Sequence, residues 1–340
     1  MSANLSLEAQ REAPPRPARR RRPDRKYLPL AVTVLLFLAL AAFGSVRYTG
    51  FFAAQVFLNL LIDNSFLCIV AVGMTFVILS GGIDLSVGAV VALTTMVSAA
   101  LLERYQFSPL LVIPLVLAMG AGLGGVMGLL IERFRLQPFI VTLAGMFLAR
   151  GLCYLISIDS ISISNDFYNT VSQTRLPLWT DASISVGGLI ALAMVAAGTW
   201  IAHFTQFGRT VYAIGGNEQS AVLMGLPVRS TLIGVYAFSG FCSALGGVAF
   251  TFYMLSGYGL HAVGMELDAI AAVVIGGTLL SGGVGYVFGT LFGVLLLGII
   301  QTLIMFDGSL SSWWTRIAIG ALLLVFCLLQ RVFEARRPQA

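Results

Sequence analysis

Proton-moving groups are scarce in this chain wherever it is apolar. Asp63, Asp84, Glu266 and Asp268 are the carboxylates placed to act inside a bilayer, and His203 and His261 are its only histidines. A hydrolase working there would need a serine beside a histidine, or a carboxylate pair across facing helices. The sequence has no HExxH, no GxSxG elbow, and no second ligand at metal spacing from either histidine. Lys26 is its only lysine and follows an Arg-rich, Gly-free stretch, so no GxxxxGK[ST] phosphate loop exists and ATP is not hydrolysed by that route. Cys68, Cys153, Cys242 and Cys327 lie far apart in apolar runs and read as buried thiols rather than disulfides or metal ligands. No enzyme chemistry, metal or cofactor is expected.

Asp84 draws attention by its setting, TFVILSGGIDLSVG at 75–88. Paired glycines after an apolar run invite a helix break, since glycine costs a helix about 1 kcal/mol relative to alanine. A carboxylate near hydrocarbon costs roughly 2.5–3.5 kcal/mol on insertion scales and usually faces a bundle interior or a wet cavity. The alternative is a capping role at the next helix N-terminus, helped by Ser86. The stretch has an echo at 251–264, TFYMLSGYGLHAVG, where seven of fourteen positions match, and a weaker one, LSGGVGYVFG, at 280–289. Paired Gly-interrupted apolar segments point to a transporter built from two related halves.

The rest of the chain must be the scaffold for these breaks. With 58% hydrophobic and 10% charged residues and a mean hydropathy of +0.92, it cannot be a soluble domain, whose charged fraction is about 25%. An all-α polytopic membrane protein follows. Eight of the basic residues fall in the first 27 positions, so the +5 charge is local and no nucleic-acid face is implied. Residues 1–27 are too polar to fold and read as a disordered cytoplasmic tail; a signal peptide is the other reading of a basic region followed by an apolar one. At about 20 residues per crossing, ten spans fall near 28–46, 56–80, 84–102, 108–131, 138–158, 184–204, 231–254, 266–281, 286–306 and 313–330. Segments abutting at Gly81 and Gly283 are short enough to re-enter instead. The permease domain thus covers 28–330, with a tail at 331–340.

Placing the N-terminus inside puts fifteen of the twenty Lys and Arg residues on the inner side, so both termini are expected in the cytoplasm. The Gly81 break then lies toward the inner side and Gly257 toward the outer side, as an inverted repeat requires. The outer connection at 159–183 is either a partner surface or an idle lid, and Trp313 and Trp314 read as interfacial anchors. The inner connection at 205–230 is the second informative stretch. There Gly215 and Gly216 are expected to turn, Asn217 to cap, and Glu218 to Met224 to form two helical turns before Gly225 ends them. Such a helix serves docking, or it is a connector lying on the membrane.

Three stretches, GMTFVILSGGIDLSVGAVVAL (73–93), VYAIGGNEQSAVLMGLPVRS (211–230) and ELDAIAAVVIGGTLLSGGVG (266–285), resemble ATP-binding-cassette importer permeases of the ribose, arabinose and xylose branch. FVILSGGIDLSVGAVVAL with DGSLSSWWTRIAIG (307–320) is most similar to the galactofuranose permeases within it. The likeness runs from about 28 to 330, although the long basic N-tail departs from it. It implies a bacterial inner-membrane subunit that pairs with a second permease, a cytoplasmic ATPase and a periplasmic sugar-binding protein. It makes the loop helix a coupling element, with Asn217 and Glu218 at its start, Ala221, Leu223 and Met224 as apolar contacts, and Gly225 as the exit turn. A neutral sugar needs only a weakly polar path, for which Asn64, Thr75, Ser80, Asp84, Ser86, Ser256, Glu266 and Asp268 are the candidates. The rival is an ion-coupled carrier of a small polar solute, with Asp84 and Glu266 as proton or sodium sites.

Overall fold

Inside hydrocarbon each backbone N–H and C=O must find its partner within the protein, so long apolar runs become helices. The computed structural model describes residues 28–335 apart from 180, 181, 310 and 312; the expected basic tail at 1–27 and the last residues, 336–340, lie outside the described residues. In chain order the elements are α1 (Leu28–Arg47), α2 (Ala54–Asp63), α3 (Ser65–Leu79), α4 (Val87–Ala99, running on as a π turn, Ala100–Arg104), α5 (Pro109–Phe134), α6 (Pro138–Ile156), β1 (Ile161–Ser162), α7 (Asp166–Gln173), β2 (Arg175–Trp179), β3 (Ala182–Ser185), α8 (Val186–Phe204), α9 (Gln206–Gly216), α10 (Glu218–Leu223), α11 (Val228–Met254), β4 (Ser256–Gly257), α12 (Met265–Ile275), α13 (Val287–Asp307) and α14 (Trp313–Ala335). This is an all-α polytopic membrane protein. The C-terminal tail expected from 331 is, as far as 335, a continuation of α14.

All ten expected segments are helical, but they are not ten equal crossings. Among the described residues eight helices are long and apolar enough to span a membrane, and α2 with α3 makes a ninth, bent by 57°. The segment expected at 266–281 is a half-span. Its helix, α12, has 11 residues, about 16 Å at 1.5 Å per residue against a hydrocarbon core of about 30 Å. Gly276 and Gly277 end it, the latter at φ +96°.

The missing half is non-helical chain, a two-residue strand followed by a run of turns. Gly257 lies against Met96 and Ala99 near one end of α4, whereas the Ala262 carbonyl and the Glu266 backbone lie against Gly88 near its other end. Residues 257–264 therefore descend beside α4 before α12 begins. Backbone at that depth is tolerated only if its polar groups are paired. Ser256 and Gly257 pair antiparallel with β1, and one Arg150 amino group donates to the carbonyls of Gly259 and His261, each at 2.6 Å. At the far end of α12, Gln330 from α14 donates to the Val274 and Thr278 carbonyls, both at 3.1 Å, and the Thr33 hydroxyl of α1 donates to the Ile275 carbonyl.

Around these breaks the core is closely packed. α3 is almost wholly buried, enclosed by α8, α11, α12 and α13. α5 lies so close to α11 that a side chain at Gly120 or Gly240 would strike the facing backbone. The breaks sort to two ends of the bundle. One end gathers 79–82, 133–138, α9, α10 and 281–285, joined by the Gly283 N–H bond to the Leu79 carbonyl at 2.9 Å. The start of α1 and the end of α14 point the same way, as Thr33 and Gln330 reach the C-terminal end of α12. The opposite end holds β1, α7, β2, β3 and the chain entering β4, with Glu103 receiving bonds from the Ser164 N–H and hydroxyl, both at 2.7 Å. The breaks after α3 and α11 thus begin at opposite ends, matching the expected inversion.

Candidate functional site

Asp84 is fully buried. The Ser86 N–H and hydroxyl donate to its Oδ1 at 2.9 and 2.6 Å, and the Ser239 hydroxyl of α11 donates to Oδ2 at 2.8 Å. The carboxyl therefore fastens the α3–α4 break to α11 and closes a tight turn on Ser86, the residue that precedes α4, without capping a first-turn N–H of that helix. Beside it a side chain at Gly82 would run into the Tyr236 hydroxyl. Small residues at 81 and 82 let the chain reverse tightly against α11, and the carboxyl then holds it there.

The expected path residues divide into two groups. Asn64, Thr75, Asp84 and Ser86 are sealed in the packed interior. Asn64 donates to the Leu60 carbonyl at 2.9 Å, and the Thr75 hydroxyl meets that of Thr290 on α13 at 2.8 Å. Ser256 is engaged in the β1–β4 pair. Glu266 and Asp268 are only partly buried, at the start of α12. Glu266 turns Oε2 onto Gly88, while Asp268 lies 3.7 Å from the half-exposed Arg316 of α14. Arg316, Leu267 and Val263 are exposed beside them, so the Asp268–Arg316 pair lies on an outward face of the bundle, whereas Glu266 Oε2 is buried against α4 without a hydrogen-bond partner. Ser80 lines a cleft of about 260 Å³ with Gly81, Glu132, Arg135 and Glu218. A smaller cleft of about 110 Å³ at the opposite end is lined by Ser65, Arg175 and Tyr253. Both fall below the roughly 300–1,000 Å³ of ordinary small-molecule sites.

At the first end, α9 and α10 form the docking candidate. Gly215 and Gly216 do not turn, contrary to the expectation from their sequence; they complete the last turn of α9, where the chain at Gly215 passes against the backbone of 79 and 283 with no room for a side chain. Asn217 does cap α10, its Oδ1 accepting from the Ser220 N–H at 2.8 Å. Glu218 pairs with Arg135 from the α5–α6 turn at 2.7 Å. The helix ends in a Schellman arrangement: Leu226 N–H bonds to the Ala221 carbonyl at 3.1 Å, Gly225 N–H bonds to the Val222 carbonyl at 3.0 Å, and Gly225 has φ +73°. Ala221 faces inward, fully buried with Ile214 and Val228, and so cannot be an outward contact. Val222, Leu223 and Met224 face out, 53%, 88% and 65% exposed. A groove of about 560 Å³ runs beside them, lined by Arg135, Glu218, Gln219, Val222 and Leu223.

An apolar bundle with broken helices and an outward loop helix is the build of a transport permease, and the comparisons with known proteins agree. The family described as branched-chain amino acid transport system / permease component matches residues 56–327. The chain belongs to this permease family. It is 52% identical over 307 residues to the inner membrane ABC transporter permease protein YjfF of Escherichia coli K12, covering 90% of this chain and 93% of the relative. It is 42% identical to the fructose import permease protein FruG of Bifidobacterium longum, covering 92% and 93%. It is 39% identical to the ribose import permease protein RbsC of Haemophilus influenzae, covering 86% and 90%. No solved structure matches. Family membership makes the permease a translocation subunit rather than an enzyme.

Several residues that build the permease's site escaped the sequence reading. Ser239 and Tyr236 lie in an apolar run with no carboxylate nearby in sequence, so nothing pointed to Asp84. Arg150 did carry a signal: an arginine in the middle of a hydrophobic span must find carbonyls or acids. Val222 could have been found by placing Ala221 inward and counting one position on.

Proposed function

We propose that this permease is the membrane subunit of an ATP-driven sugar importer of the bacterial inner membrane, with both termini in the cytoplasm. The observation that carries the reading is α10, a six-residue helix capped at both ends that turns Val222, Leu223 and Met224 away from the protein. Burying each such side chain against a partner yields about 1.5–3 kcal/mol, and the basic residues Arg133, Arg135, Arg209 and Arg229 in the connections at that end support a cytoplasmic placement. The occupant is an ATPase subunit. ATP binding closes its cleft, pushes α10 and rocks this chain against a second permease. The names of the relatives supply the sugar, since FruG and RbsC are import permeases for fructose and ribose, whereas the family description speaks of amino acids.

The sealed state of Asn64, Thr75, Asp84 and Ser86 favours a path outside the single chain. A second permease set against the outward face of Asp268 and Arg316 would enclose a weakly polar route, fed by a periplasmic binding protein. Asp84 held by three donors within the core does not suit an ion-coupled carrier. Within the sugars, galactofuranose is our first choice, on the likeness of 76–93 and 307–320 to galactofuranose permeases.

The test is purification of the tagged chain from its native membrane in mild detergent, with mass spectrometry of what accompanies it. Recovery of an ATPase, lost when Leu223→Asp is introduced, supports the reading and reveals any second permease. A chain recovered alone, whose uptake is abolished by a protonophore, refutes it. Uptake of labelled galactofuranose, ribose and fructose by cells carrying the complete system then settles the sugar.

A further inference from the structure

The two LSGG stretches, 79–82 and 280–283, meet each other and α9 at a single point where backbone touches backbone. Gly283 N–H donates to the Leu79 carbonyl at 2.9 Å. A β-carbon on Gly282 would sit 2.9 Å from the Gly81 nitrogen and 3.1 Å from the Gly215 α-carbon. One on Gly283 would lie 2.7 Å from the Gly216 nitrogen, and one on Gly215 would overlap the Leu79 carbonyl. Six residues before α10, the Tyr212 hydroxyl of α9 donates to the Gly285 carbonyl at 2.8 Å. α9 is separated from α10 only by Asn217, which caps α10.

We propose that Gly215 and Tyr212 position α9 as the link through which a push on α10 reaches both broken segments at once. The inference rests on the importer reading above. The physical argument is stiffness. Side chains in a contact absorb small displacements by changing rotamer, whereas backbone in van der Waals contact has nothing soft to yield, so a shift of α9 must move 79–82 and 281–285 with it. These segments end α3 and lead into α13, and the first leads on to Asp84 and α4. Neighbouring Gly216 supplies an internal control, because a β-carbon there meets nothing within 4 Å.

The experiment uses the full complex with its ATPase, in a Cys327→Ala background, with Ser80→Cys as reporter in the cleft; the remaining cysteines are buried. The rate of maleimide labelling is measured with and without a non-hydrolysable ATP analogue. In the otherwise unaltered complex the nucleotide should change that rate. Gly215→Ala should leave the ATPase bound but shrink the nucleotide effect on the order of tenfold, and Gly216→Ala should leave it whole. A full response in Gly215→Ala, or equal losses in both variants, overturns the proposal. So does a complex that holds its ATPase but shows no nucleotide effect at Ser80→Cys. Should Gly215→Ala fail to accumulate, Tyr212→Phe removes one hydrogen bond and adds no atom; a weakened response with the ATPase retained supports the link, and an undiminished one refutes it. A chain that never binds an ATPase, before any variant is made, removes the importer reading and the link with it.

Discussion

Gly225 offers a graded test of α10, because what constrains it is conformation and not space. It has φ +73° and nothing within 4 Å of where a β-carbon would stand. For an alanine the left-handed conformation costs roughly 1–2 kcal/mol, and a β-branched residue fares worse, while asparagine tolerates it. An isolated helix as short as α10 has almost no stability of its own. It depends on its caps: the Asn217 bond to Ser220 N–H, the paired bonds to the Ala221 and Val222 carbonyls, and the contact of Leu226 with the inward-facing Ala221 cluster. Losing about 1–2 kcal/mol at the second cap lowers the ratio of capped to uncapped helix about 5- to 30-fold. ATPase affinity should fall by up to that factor in Gly225→Ala, further in Gly225→Val, and little in Gly225→Asn. The assay is titration of the ATPase recovered with the chain onto permease held in nanodiscs, with thermal melting of each variant in parallel. Melting should not change, since Gly225 touches nothing in the bundle. Equal affinity across glycine, asparagine and valine would refute the dependence on the cap.

Three further outcomes follow from the bundle itself. Asp84→Ala leaves the Ser86 N–H, Ser86 hydroxyl and Ser239 hydroxyl without their acceptor, a loss of roughly 3 kcal/mol or more; detergent melting should drop by several degrees, and less for Asp84→Asn, which keeps one acceptor oxygen. Unchanged melting in the alanine variant would show that the fastening is dispensable. Thr75→Val and Thr290→Val should each cost on the order of 1 kcal/mol, with the double variant well short of their sum because the two hydroxyls bond each other; strict additivity would disprove the pair. Arg150→Ala frees the Gly259 and His261 carbonyls, so hydrogen exchange at 258–264 should quicken while that of α3 stays slow. No change there would mean that other groups hold the non-helical half-span.

Apolar run length gave every span its place, because the bilayer sets helix length so tightly. What it could not reveal was depth. The segment at 266–281 is apolar apart from Glu266 and Asp268 at its start, yet the passage leading into it is non-helical, and the groups that hold the two ends, Arg150 before α12 and Thr33 and Gln330 after it, come from three other helices. The breaks themselves were legible from LSGGID and its echo. The role of Asp84 was not, because its partner Ser239 lies on α11, and a carboxylate lining a path reads no differently in sequence from one buried as a fastener. The loop helix was nearly complete in sequence, caps included. The inward turn of Ala221 depends on Ile214 and Val228, and the helical state of Gly215 on a neighbour far away in the chain.

The Asp84 fastening also says something about how the permease is made. Asp84 and Ser239 are separated by 155 residues, which at about 5–20 residues per second of synthesis is roughly 8–30 s. Throughout that interval the α3–α4 break sits in the membrane with only its local bonds to Ser86, and β1 waits similarly for β4. Newly inserted chain therefore passes through a stage in which the first half is threaded but not yet locked, exposed to quality-control proteases until α11 arrives.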